Sequence, residues 1–128
     1  MRTISRPIFA AGALAVLLAT SAVALDPVRV QPNAYRVVLD NAKVRVLEYN
    51  GRPGMGVCGN GMHSHPAHLT VLLTAARVRV RENGKVFVVE QRPGDVFWSG
   101  PVTHETENIG GANVRSLIVE LKSPARGF

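Results

Sequence analysis

From residue 25 onward the chain is written in short runs whose apolar residues recur at every second position, and a period near 3.6 is hard to find. A period of two places alternate side chains on opposite faces of an extended strand. The runs predict strands at Arg36–Asp40, Val44–Tyr49, His68–Thr74, Val78–Glu82, Lys85–Glu90, Asp95–Ser99, His104–Asn108 and Val114–Leu121. Val, Leu, Ile, Phe and Thr dominate them, while Asn, Gly and Pro lie between them. Asn83-Gly84 joins two alternating runs as a two-residue loop, which is the chemistry of a tight hairpin. Pro93-Gly94 opens one strand and Gly110-Gly111 separates the last two. Many short strands without intervening helices predict an all-β, antiparallel sandwich or small barrel.

The same alternation assigns faces. Val78 and Val80 point inward, and Arg77, Arg79 and Arg81 form an outer ladder. That ladder reads either as a solvated sheet face or as a patch for an anionic ligand. Residues 25 to 35, with Pro27 and Pro32, read as an extended lead-in.

The first 24 residues follow a different rule. Arg2 and Arg6 precede an apolar run from Ile8 to Leu18, and Ala22-Val23-Ala24 closes it with small residues. This is the layout of a secretory signal cleaved after Ala24; the competing reading is a membrane anchor. The expected organisation is a signal peptide over 1–24, a lead-in over 25–43, one domain over 44–122 and a tail over 123–128. The mature chain is expected in the periplasm or outside a bacterial cell, without stable membrane insertion. The formal charge of +6 includes Arg2 and Arg6 of the leader, so the domain carries only a small basic surplus. That surplus and export both argue against a nucleic-acid partner. The single cysteine, Cys58, excludes an intramolecular disulfide.

The candidate chemistry is concentrated in histidine. Three of four, His63, His65 and His68, fall in MHSHPAHLTV, and His104 follows in THETEN. His63 and His65 are two apart, so in extended chain both leave the same face, and His104 from a neighbouring strand completes a facial set for one divalent ion. The alternative is polar surface. Strict alternation puts Leu69, Val71 and Leu73 inward and turns His68 away, but Pro66 interrupts the phase, so a three-histidine site and a four-histidine site both stay open. Cys58, five residues before His63, is a ligand, a reactive thiol or packing. Trp98, Phe97 and Phe87 line an apolar pocket or belong to the core. Asn108 positions His104 or merely ends a strand. Glu105 and Glu107 alternate with His104 and should face away from it.

The segments GVCGNGMHSHPAHLTVLLTAA and GDVFWSGPVTHETEN resemble the two motifs of the cupin superfamily, G-x5-H-x-H-x(3,4)-E-x6-G and G-x5-P-x-G-x2-H-x3-N. His63 and His65 match the H-x-H pair, His104 and Asn108 match H-x3-N, and Gly94-Asp95 matches the opening of the second motif. The departures are specific. Leu69 and Thr70 stand where the motif has glutamate, and Ala75 or Ala76 stands where it has its closing glycine. Gly94 to His104 is one residue short, and Gly100-Pro101 replaces P-x-G. The resemblance, over residues 44 to 121, implies a double-stranded β-helix, a jelly-roll barrel. It implies a metal such as Fe(II) or Zn, a small-molecule ligand and a homodimer. It also implies either an enzyme of the dioxygenase or isomerase type, or a binding and sensing module without turnover.

Overall fold

The computed structural model describes residues 25–55 and 61–123. The predicted signal segment, Cys58 and the tail beyond Ser123 lie outside the described residues. A single helical turn, α1 (Pro27–Val30), precedes nine strands: β1 (Tyr35–Asp40), β2 (Val44–Gly51), β3 (His63–His65), β4 (His68–Leu72), β5 (Ala76–Glu82), β6 (Lys85–Gln91), β7 (Val96–Ser99), β8 (Val102–Asn108) and β9 (Val114–Leu121). They form two antiparallel sheets, one of five strands in the order β1-β2-β9-β4-β7 and one of four in the order β3-β8-β5-β6. This is the all-β antiparallel architecture expected from the alternation, in the jelly-roll form that the resemblance implies.

The hairpin β5–β6 turns at Asn83 (φ +50°) and Gly84 (φ +73°). Two successive positive φ angles match the strand twist and favour Asn-Gly at those two places. Along β5 Ala76 and Val80 are buried and the arginines are exposed. The arginine ladder is charge-matched: Arg77 faces Glu90, Arg79 faces Glu107 and Arg81 faces Glu105. It is a neutralised outer face, and the reading as an anion patch loses its basis.

The lead-in is part of the barrel. Asp26 caps α1, its Oδ1 accepting from the Val28 amide at 2.9 Å, and the Ser64 amide donates to the Leu25 carbonyl at 2.8 Å, which ties this segment to β3. β1 then pairs with β2, with one irregularity between Val37 and Leu39. The buried core comprises Ala34, Tyr35, Leu47, Tyr49, Leu72, Ala76, Val114 and Ile118.

Pro66 and Ala67 explain the histidine phase. β3 belongs to the four-stranded sheet and β4 to the five-stranded one, so the chain crosses between sheets at Pro66-Ala67. A crossing resets inward and outward. His68 and Leu72 of β4 are buried, Leu73 is exposed, and the expectation that Leu69, Val71 and Leu73 point inward is reversed.

Candidate metal centre

Two polar rows face the interior. Directly paired residues across adjacent strands share a face. Across the four-stranded sheet His63 opposes His104, which opposes Glu82, which opposes Lys85. Across the five-stranded sheet Arg45 opposes Glu120, which opposes His68, which opposes Ser99. His65 sits one inward position along β3 from His63. The barrel therefore gathers all four histidines, and the sequence separation of His104 is closed by the β3–β8 pairing.

His63, His65 and His104 each present a ring nitrogen within 4.8 Å of the other two. Their ring centroids are 5.0 Å apart for His63–His65, 4.8 Å for His63–His104 and 5.5 Å for His65–His104. His68 packs on His65 at 4.9 Å but stands outside that three-residue set.

Hydrogen bonds fix the tautomers. Nδ1 of His63 lies 2.6 Å from the Gly61 carbonyl, and Nδ1 of His68 lies 2.7 Å from the Pro66 carbonyl. A carbonyl only accepts, so both Nδ1 atoms carry the proton and both Nε2 atoms keep a lone pair. His65 Nδ1 is 2.8 Å from Glu120 Oε1, a carboxylate acceptor that imposes the same tautomer. Burial pushes the His63 imidazole down to about 4 and the His104 imidazole down to about 3, the neighbouring histidines adding to the effect at His104. Burial lowers His68 as well. Neutral imidazoles with an unprotonated Nε2 are the form that binds a divalent metal, so the donor set fits one borderline divalent ion.

Residues without a motif support this set. Glu120, 2 % exposed, is held at both oxygens: Oε1 accepts from His65 Nδ1 and Oε2 accepts from Arg45 Nε at 2.6 Å. Arg45 in turn donates to Asp26 Oδ2 at 2.6 Å, which links the chain to the cap of α1. Burial opposes ionisation of Glu120, but the bonds from His65 and Arg45 outweigh it and hold the carboxyl below its usual range. Tyr35 donates its hydroxyl to His63 Nε2 at 3.1 Å, and its ring packs against those of Tyr49 and His63 at 4.9 and 5.2 Å. Burial raises the Tyr35 phenol, which stays protonated. Among the described residues Glu82 makes no ion pair, and its register sets it beside His104. Glu120 shares the parity of the inward residues Ser116 and Ile118, a signal that alternation alone carries. Tyr35 and Asp26 had none, since they precede the predicted strands.

Other candidates fall elsewhere. Asn108 is fully buried but does not position His104: its amide donates to the Gly51 and Ala112 carbonyls, and its Oδ1 accepts from Gly110, so it ties loops at the end of β8. Trp98 is 60 % exposed on edge strand β7 and turned to the outer face, away from the histidines. Phe97 and Phe87 share inward registers but are partly exposed on the two free edges, β7 and β6. Glu105 and Glu107 do face away, toward Arg81 and Arg79. A groove of about 950 Å³ runs past Ser64, His65, Pro66, Thr103 and Glu120, reaching His65 from its Glu120 side.

No family model and no curated relative matches the chain by sequence. Solved structures do match by shape. A cupin domain from Bordetella pertussis superposes with a TM-score of 0.62 at 20 % identity, over 70 % of this chain and 92 % of that one. The fold is that of a cupin. A cupin protein from Bacteroides fragilis matches with a TM-score of 0.52 at 18 % identity, over 74 % of this chain and 82 % of its own. A cupin superfamily protein from Desulfitobacterium hafniense matches with a TM-score of 0.52 at 12 % identity, over 70 % and 76 %. At such identities the likeness is one of architecture, and function rests on the site. In this cupin barrel the three close histidines can hold a metal. No helix among the described residues is long and apolar enough to cross a membrane.

Proposed function

We propose that the chain is an exported small cupin whose His63, His65 and His104 hold one divalent transition metal, Fe(II) or Zn, for work on a small molecule. The observation that carries the proposal is the convergence of three inward histidines, two of them with the proton held at Nδ1 so that Nε2 is the donor nitrogen. Such an ion, when bound, supplies Lewis acidity or activates oxygen. The protein's own groups do the rest. Glu120 fixes the His65 ring and the Gly61 carbonyl fixes the His63 ring. Three ligands leave positions for a bidentate oxygen-donor substrate, and the neutral donor set leaves the ion's full charge to attract an anion.

The second reading is a binding or sensing module without turnover, and His68 favours it: it is 4 % exposed, inward and 4.9 Å ring to ring from His65. A fourth imidazole would saturate the ion, as in a storage or structural site. Elemental analysis of untagged protein separates these. Near one equivalent of iron that small chelating anions perturb supports the enzyme. One equivalent of zinc that they leave untouched, lost in His68→Ala, supports the module. His63→Ala and His104→Ala variants that hold metal as wild type does sink both. Export to the periplasm is tested by the N-terminus of the mature protein, which should begin at Leu25.

For the homodimer, the support is the outer face of the five-stranded sheet. Leu39, Val46, Val119, Leu69 and Trp98 form one continuous register across all five strands, every member apolar. We assign a second copy of the chain to this face.

A further inference from the structure

The bond between Tyr35 and His63 is incompatible with an occupied site. His63 Nδ1–H donates to the Gly61 carbonyl, so Nε2 is the nitrogen left for a metal, and that lone pair is taken by the Tyr35 hydroxyl at 3.1 Å. An imidazole nitrogen has one lone pair, and an ion would stand about 2.0–2.1 Å from it. The hydroxyl proton and the ion compete for one place. Tyr35 has little room to leave, being 4 % exposed, with its ring 4.9 Å from Tyr49, 5.2 Å from His63 and 6.0 Å from His65. Its hydroxyl turns aside but stays beside the ion, with the Thr106 hydroxyl as a neighbouring hydrogen-bond partner. A charged oxygen entering the open positions is a stronger acceptor than a neutral hydroxyl, so the released donor turns to it.

We propose that Tyr35 is the substrate-contacting hydrogen-bond donor of the site, released from His63 by the metal and turned onto the oxygen of a small anionic ligand. The inference rests on the three-histidine reading and adds a residue and a substrate class to it: a carboxylate or enolate oxygen, a better acceptor than a neutral amine or thioether. The proton remains on Tyr35 throughout, and no bond is made or broken. The device is ordered: without metal Tyr35 stops the His63 lone pair, and with metal the same hydroxyl selects the ligand.

The test uses untagged protein stripped with chelator and reloaded with Co(II), with oxalate as the anionic probe, in wild type, Tyr35→Phe and Tyr49→Phe. Tyr49 packs on Tyr35 and is the control for a lost phenol hydroxyl that does not reach a histidine. All three should bind one Co(II), Tyr35→Phe as tightly as wild type or more so, because its competitor is gone. Oxalate affinity should fall roughly 10- to 100-fold in Tyr35→Phe, the loss expected for a bond to a charged acceptor, and stay within about twofold in Tyr49→Phe. Equal oxalate affinity in Tyr35→Phe and wild type overturns the inference. So does loss of Co(II) from a folded Tyr35→Phe, which would make Tyr35 a ligand. Wild type that takes Co(II) but not oxalate overturns the substrate class while leaving the metal reading intact, whereas wild type that takes no Co(II) defeats both. If Tyr35→Phe does not fold, the hydroxyl proton resonance of Tyr35 in zinc-loaded wild type decides: it must move when oxalate is added, and an unmoved signal overturns the inference.

Discussion

Glu120 shows how much one side chain settles at this site. It orients His65, compensates Arg45 and, through Arg45 and Asp26, anchors α1, all from a position that is 2 % exposed. Carboxylates that accept from a ligating histidine fix its ring and strengthen it as a donor, and their loss costs about 10- to 100-fold in metal affinity. Glu120→Gln should therefore bind Zn 10- to 100-fold more weakly in a chelator competition, with one equivalent still reached at saturation. Unchanged affinity would reduce Glu120 to a packing residue. The histidines give a second expectation, for metal-free protein. His63 and His104 have folded pKa values near 4 and 3 against about 6.5 when unfolded. Between those limits the unfolded chain binds more protons than the folded one, so stability rises with pH. Their contribution is complete above about pH 6.5 and is lost as pH falls through 4 toward 3. The urea midpoint of metal-free protein should drop between pH 7 and pH 4, and replacing both histidines with Gln should flatten that drop.

At the scale of elements, the strands were legible because a period of two needs no tertiary information: Val114–Leu121 agrees at both ends, and the other predicted strands shift by a residue or two. The Asn83-Gly84 hairpin was legible for a stronger reason, since only a few residue pairs tolerate two positive φ angles in succession. Gly84 has open space where a Cβ would stand, so the cost of a side chain there is purely one of backbone conformation. Gly84→Val should lower stability by about 1–2 kcal/mol in denaturant titration without altering metal content. What the pattern could not supply was the crossing at Pro66-Ala67. Alternation runs within a strand and carries no phase across a change of sheet, so the face of His68 stayed open until the crossing placed it inward. The helical turn at Pro27 and the contribution of Tyr35 escaped for a related reason. They are local features whose meaning appears only when β1 is laid beside β2 and Leu25 beside β3. Asn108 matched a motif and proved to be a loop clamp, so a spacing can be kept for the turn that it closes.

For the whole molecule the outer faces of the two sheets are made differently. The four-stranded sheet carries the paired Arg and Glu ladder on its outer face, charged yet neutral in sum, with Val86 and Val88 exposed beside it on β6. The five-stranded sheet carries the apolar row from Leu39 through Val46, Val119 and Leu69 to Trp98, and Val71 faces Val96 beside it. Trp98 and Val96 are 60 % and 57 % exposed, a large apolar offering for an edge strand. Single exposed apolar residues are ordinary, but a contiguous patch on one face marks an association site. A stable pairing buries about 800 Å² on each partner, and a large aromatic near the centre carries a disproportionate share of the affinity. Face-to-face packing of two such sheets would also shield the free edge at β7, which otherwise invites strand addition. Trp98→Lys puts a charge into that face while sparing the interior, because Trp98 is paired with the outward Leu69 and not with His68. Sedimentation velocity at micromolar concentration should show a dimer for wild type and a monomer for Trp98→Lys, with metal content equal in the two. A monomeric wild type would leave the apolar row to a different partner, and a dimeric Trp98→Lys would move the interface to the edges at β1 or β6. Equal metal content matters as much as the change in mass, since it separates association on the outer face of the five-stranded sheet from the histidine site, which β3 and β8 of the other sheet carry on the inside of the barrel.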